Sequence, residues 1–263
     1  MGESVFNYHD NDLLIGTNHM KRYVMKLAYD GSKFYGWQIQ VQSPTVQECI
    51  ERALSLIAKE KISVIGAGRT DTGVHALAQV AHFDFPSNMK DEQILLALRT
   101  KLPPEIQVYE INEVAPDFHA RYDAKERTYE YIITLKQTPF NYNYKSYFMR
   151  KRIEIERFQA CIPYFMGEHD FTSFAKPSPK VSNYLCNIHN MSVNKIDDDI
   201  VVEITANRFL HNMVRRIVGA MVAVSHKELE PDVIKTWIDS KKHSQRNYAT
   251  APANGLYLKG VVY

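Results

Sequence analysis

The chain predicts an α+β fold of two ferredoxin-like βαββαβ units, with a largely antiparallel sheet that could run continuously through both. Three observations lead there. Across the first half, period-two and period-3.6 stretches follow one another in the order β-α-β-β-α-β. The second half follows a similar order, although no repeat is visible residue by residue. Hydrophobic residues make up 45% of 263, enough for a substantial core and too many for a disordered chain.

Residues 1–20 read as a polar N-terminal extension. They carry acidic groups and lack the apolar stretch of a signal peptide, and Met20 could serve as the start. An N-terminal α+β domain is expected over 21–115. Tyr23 to Tyr29 alternates as a strand and Asp30-Gly31-Ser32 turns the chain. Pro44-Thr45 opens a helix that runs to about Ala58, with Val46, Cys49, Ile50, Ala53, Leu54 and Ile57 on one face. A β-branched run (Ile62, Val64, Ile65) precedes a Gly-rich loop, and Gln79 to Phe85 is the strand after it. A helix over Asp91 to Thr100 and a strand over Ile106 to Ile111 complete the unit.

A C-terminal α+β domain is expected over 116–263. Thr128 to Leu135 is a strand, with Tyr129, Tyr131 and Ile133 on one side, and Ile155 to Phe165 is a helix. Ile188–Val193 and Ile200–Ala206 are strands paired around Asp197-Asp198-Asp199. Helices follow over Leu210–Ser225 and Pro231–Ser240, and Leu256–Val262 closes the chain as a strand.

Composition excludes several classes. A formal net charge of +2 is too small to argue for nucleic acid, so any basic surface must come from clustering. Three dispersed cysteines (Cys49, Cys161, Cys186) with no CxxC argue against a disulfide framework and for a reducing compartment such as the cytoplasm. The ten histidines show no zinc spacing. The longest clean apolar run, Ile217 to Val224, is too short to span a bilayer, which takes roughly 20 residues.

The chemistry is expected in the loop from Gly66 to Ala76, Gly-Ala-Gly-Arg-Thr-Asp-Thr-Gly-Val-His-Ala, placed between two strands. It fails the Walker A pattern, because Val74-His75 stands where Lys-Ser/Thr is needed, and it fails GxGxxG, because Asp71 takes the last glycine position. A carboxylate would repel a phosphate, so this loop either presents Asp71 for chemistry or is a plain turn with a surface Arg69–Asp71 pair. On the helix from Leu210, Leu210, Met213, Val214, Ile217, Val218 and Met221 form an apolar stripe. Arg215 lies at its edge, one turn from His211, and Arg216 is expected to project away toward solvent or phosphate. Arg215 could enter a cleft or snorkel at the boundary. Thr138 to Arg152 interleaves Phe140, Tyr142, Tyr144, Tyr147 and Phe148 with Lys145, Arg150, Lys151 and Arg152. It fits either RNA or a cover over the core. Lys176-Pro177-Ser178-Pro179-Lys180 is a stiff basic loop, either RNA-contacting or simply exposed.

Gly66 to Ala76 resembles the active-site loop of the TruA-type tRNA pseudouridine synthases. Further stretches match the same family in order: Tyr29 to Gln40, Phe118-His119-Ala120-Arg121 with Arg127 to Tyr131, His169 to Phe174, Phe209 to Arg215, and Ala251 to Leu258. The resemblance covers about residues 21–263. It implies isomerisation of uridine to pseudouridine at positions 38, 39 and 40 of the tRNA anticodon stem-loop, by a homodimer, with no metal, ATP or redox cofactor. It implies that Asp71 is the essential aspartate, either nucleophile or base. Arg215 is then its guanidinium partner, Tyr129 stacks on the target base, Arg69 helps to extract that base and Leu258 walls the pocket. The glycines of the loop would leave room for the extracted nucleotide. Lys33, Arg121, Arg127, Arg150, Lys151, Arg152, Arg208 and Arg216 could line a groove for the RNA backbone or be plain surface charges. The rival readings are the same isomerisation at other uridines and a non-catalytic tRNA-binding or folding protein.

Overall fold

The computed structural model describes residues 19–86, 89–179, 181–243 and 248–263. Most of the polar extension, and Lys180 of the basic loop, lie outside them.

The first unit contains β1 (Met20–Tyr29), α1 (Val46–Ala58), β2 (Val64–Gly66), β3 (His75–Pro86), α2 (Asp91–Arg99) and β4 (Ile106–Glu113). The second contains β5 (Glu126–Thr134), α3 (Ile155–Phe165), β6 (Gly167–Asp170), β7 (Leu185–Ile196), β8 (Asp199–Ala206), α4 (Met213–His226), α5 (Val233–Asp239) and β9 (Leu256–Val262). Local chemistry accounts for the helix boundaries. The Thr45 hydroxyl caps α1 by accepting from the Glu48 N–H, and Lys59 ends that helix in the left-handed conformation. The strand β6 has no counterpart in the sequence-based expectation. Its four residues, Gly-Glu-His-Asp, are only partly buried, so they leave no apolar alternation to read.

The nine strands form one sheet, in the order β4-β1-β3-β9-β5-β8-β7-β6 with β2 also on β3. In the first unit the order is β4-β1-β3-β2, and in the second β9-β5-β8-β7, with β6 added at the edge. Each unit therefore has the ferredoxin-like arrangement, and the sheet is continuous. The join is the edge of β3 that faces away from β1. Val64–Gly66 pairs antiparallel with residues 81–83 of that edge, and Tyr257 and Leu258 of β9 pair parallel with His75 and Ala76. The loop from Ala67 to Val74 leaves the sheet where β3 changes partner. It therefore sits on the seam between the units, which is what brings its side chains to the second unit.

The core runs through both units. Tyr23, Met25 and Leu27 of β1 pack with Phe83 and Phe85 of β3, and Phe158 and Phe165 of α3 pack with Phe171 and Phe174. Burying one such side chain fully contributes about 1.5–3 kcal/mol. The helix α4 is not the one-sided amphipathic helix expected. Residues 216–225 are all buried, Arg216 among them at 3% exposure. A helix apolar all round is an interior helix, and the uninterrupted run from Ile217 to Val224 carried that signal. Gly219 is required because a Cβ there would lie 1.9 Å from the Ala249 carbonyl oxygen. The same segment exchanges a backbone bond with the helix, from the Ala251 N–H to the Arg215 carbonyl at 3.0 Å.

Candidate active site

The loop carrying Asp71 is fixed from below by buried polar groups. The Gln79 amide donates to the Gly68 carbonyl at 2.8 Å, and its oxygen accepts from the Gly68 N–H at 3.4 Å. The Tyr29 and Thr70 hydroxyls meet at 2.8 Å. The Trp37 N–H donates to the Thr70 carbonyl at 3.1 Å, and the Val74 N–H donates to the Asp71 carbonyl at 3.1 Å. Each glycine has its own reason. A Cβ on Gly66 would strike the Trp37 ring at 2.7 Å, and Gly73 has φ +77°. At Gly68 neither limit applies, and a side chain would have ordinary space, 3.7 Å from the Tyr129 hydroxyl. The expectation that all three make room for a nucleotide is thus corrected, since Gly66 serves packing and Gly73 serves backbone conformation.

Both carboxylate oxygens of Asp71 are held. Arg215 Nη1 lies 3.1 Å from Oδ2 and His211 Nε2 lies 3.1 Å from Oδ1. Arg215 is itself braced, donating from Nε to the Ala251 carbonyl at 2.8 Å and from Nη1 to Asn212 Oδ1 at 3.3 Å. Burial alone would push the Asp71 carboxyl up. The hydrogen bond and charge of His211, with the charge and hydrogen bond of Arg215, outweigh it and hold the group below the usual carboxylate range. His211 is the residue that pattern reading undervalued. Its spacing one turn before Arg215 placed it on the right face, but nothing local said that Asp71 would arrive there. Asn212, with φ 64°, turns the chain into α4 between them.

Tyr129 is 8% exposed and stands opposite Leu258 of β9, which is fully buried and also opposite Ala76. Phe209 meets the Tyr129 ring edge-on at 5.0 Å. Burial, with the charge of Asp71 nearby, raises the Tyr129 phenol well above its ordinary value, so it stays neutral. The structure thus brings Asp71, Arg215, Tyr129 and Leu258 to the seam.

The expected RNA-facing cations divide. Lys33, Arg69 and Arg121 are exposed. Arg216 is buried inside the fold and cannot meet phosphate as expected, because α4 is packed on every side. Arg127 is half-buried and committed. Its Nη1 donates to the carbonyls of Ala124 (2.7 Å) and Asn207 (3.1 Å), and its Nη2 to those of Ala67 (3.2 Å) and Arg121. It is a tie between segments rather than a backbone ligand. The Thr138–Arg152 segment is largely a strap. Tyr144 donates to Asp30 at 2.8 Å, Tyr257 donates to the Tyr144 carbonyl at 2.7 Å, and the Asn254 amide donates to the carbonyls of Tyr142 and Lys145. His75 completes the fastening, stacked on Tyr257 at 4.7 Å with Nε2 3.0 Å from the Asn143 carbonyl.

The sequence profile of the family described as tRNA pseudouridine synthase matches residues 26–123 and 161–263. A tRNA pseudouridine synthase A of Bacteroides thetaiotaomicron is 40% identical over 247 residues, covering 93% of this chain and 91% of its own. Those of Limosilactobacillus fermentum and Shewanella amazonensis are 39% and 41% identical, covering 93% and 92% of this chain and 96% and 93% of their own. The chain belongs to the tRNA pseudouridine synthase family.

Proposed function

We propose that the protein converts uridine to pseudouridine in the anticodon stem-loop of tRNA, at positions 38, 39 and 40, as a cytoplasmic homodimer in which Asp71 is the essential carboxylate. The observation that carries the reading is the ionised Asp71 held between Arg215 and His211, with Tyr129 beside it. The reaction breaks the N1–C1′ bond, rotates the base and forms a C5–C1′ bond. The C5 proton is lost and N1 gains one. Asp71 supplies a carboxylate that attacks or removes a proton at the sugar, and its low pKa keeps it anionic at neutral pH. Arg215 orients it. Tyr129, kept neutral by burial, offers a ring face to the base and a hydroxyl donor, and does not serve as a phenolate base. Exposed Arg69 stands two residues from Asp71, where it can reach into a stem to extract the base. The test is tritium release from tRNA labelled at uridine C5. The wild type should release tritium and Asp71→Asn should not. Release by a folded Asp71→Asn variant at the wild-type rate would overturn the assignment, and mapping the modified positions checks the anticodon stem-loop.

A further inference from the structure

We propose that Tyr122, with Arg121, forms a nucleotide-binding subsite at the rim of the cleft, where an unstacked base of the RNA lies on the tyrosine ring. The inference rests on the RNA substrate proposed above and adds a place where that RNA is held.

Tyr122 is an exposed aromatic residue, 76% accessible, on a loop held by a ring stack and several hydrogen bonds. The His119 ring stacks beneath it at 4.3 Å and 27°, and His119 in turn meets the buried His82 ring at 4.8 Å. His119 Nδ1 accepts the N–H groups of Arg121 and Tyr122, both at 3.2 Å. His82 Nδ1 accepts the Ala120 N–H at 3.0 Å, and the Tyr263 hydroxyl donates to the Ala120 carbonyl at 2.7 Å. Hydrophobic collapse does not explain such bracing, because the ring it supports remains in solvent. A rigid, exposed ring is what base stacking needs, since little side-chain freedom is lost on binding.

A further tie joins this ring to the cleft. Arg127 ties the Arg121 carbonyl and the Ala67 carbonyl to one guanidinium, so the loop is anchored to the first residue after β2 on the Asp71 loop. Arg121 also lies 5.9 Å from the Tyr122 ring centre. Among the described residues Arg121 has no ion-pair partner. A cation beside a preorganised ring matches the phosphate and base of one nucleotide.

The experiment uses the full chain and measures tRNA affinity and steady-state turnover for Tyr122→Ala, Tyr122→Phe and Tyr122→Leu. Tyr122→Ala should weaken tRNA binding about tenfold, as expected for one lost stacked base, with turnover at saturating tRNA unchanged. Tyr122→Phe keeps the ring face and should bind within about twofold of wild type. Tyr122→Leu keeps apolar bulk without the ring and should resemble Tyr122→Ala. Arg121→Gln should reduce the slope of log affinity against log salt by about 0.7–0.9. Wild-type affinity in either Tyr122→Ala or Tyr122→Leu overturns the subsite. If the wild type releases no tritium from C5-labelled tRNA, the proposed function fails, whereas these affinities still decide whether Tyr122 holds RNA.

Discussion

Gly36→Ala tests whether the Asp71 loop is positioned by backbone contact from outside the loop. Gly36 has φ +91°, and a Cβ there would lie 2.6 Å from the Thr70 carbonyl oxygen and 3.1 Å from the Asp71 carbonyl carbon. Ordinary contact begins near 3.4 Å, so residues 70–72 must retreat by about 0.8 Å. Retreat also stretches the bond from the Trp37 N–H to the Thr70 carbonyl, now 3.1 Å. The backbone conformation costs about 1–2 kcal/mol and the overpacking about 1–3 kcal/mol. Displacing a catalytic group by that distance costs about tenfold to a hundredfold in turnover. The informative control is Gly73→Ala. Its φ of +77° imposes a similar conformational cost, but its Cβ would meet only the Ala253 side chain, at 3.4 Å. Both variants should lose thermal stability, and Gly36→Ala should lose more turnover than Gly73→Ala when tritium release is measured well below the melting temperature. Equal turnover losses, or a Gly36→Ala enzyme with wild-type turnover, would show that the Gly36 contact does not position Asp71.

Arg127→Lys should lower stability by about 2–4 kcal/mol in urea melts, because an ammonium cannot serve four carbonyls in two directions; the salt slope of tRNA binding should stay unchanged, as a phosphate ligand's would not. His211→Ala removes the largest influence lowering the Asp71 pKa, so the acid limb of the kcat/KM profile should move to higher pH; His211→Gln, which keeps an N–H donor, should recover part of that shift. His82, 3% exposed, is kept neutral by burial, with its pKa lowered to about 4. The unfolded chain takes up that proton below about pH 6.5, so the stability from neutral His82 is complete above pH 6.5 and lost as pH falls toward 4. Comparing urea melts of wild type and His82→Phe should show about 2 kcal/mol more loss in the wild type between pH 7 and pH 5; parallel losses would contradict it.

Much of the fold was legible because periodicity is a local property. The bounds of α3 and β9 match their apolar patterns residue for residue, and Thr45 announced α1 by its capping chemistry. The Gly-rich loop could be located between two strands, and its failure to match phosphate cradles pointed to Asp71. By itself the chain thus determined the order of the elements apart from β6, the two-unit class and the residue types available for chemistry. Partnership was decided only in three dimensions. Asp71 and Arg215 are 144 residues apart, and they meet because β3 exchanges β2 for β9 along one edge, which sets the loop against the start of α4. The same closure chose among the arginines. Arg215 and Arg216 are adjacent and chemically identical, yet one grips the carboxylate and the other is enclosed, because α4 packs on all sides. Arg127 looked like its exposed neighbour Arg121 until four carbonyls from separate segments converged on it. A side chain's local sequence sets what it can donate, and only the packed chain determines which acceptor reaches it first.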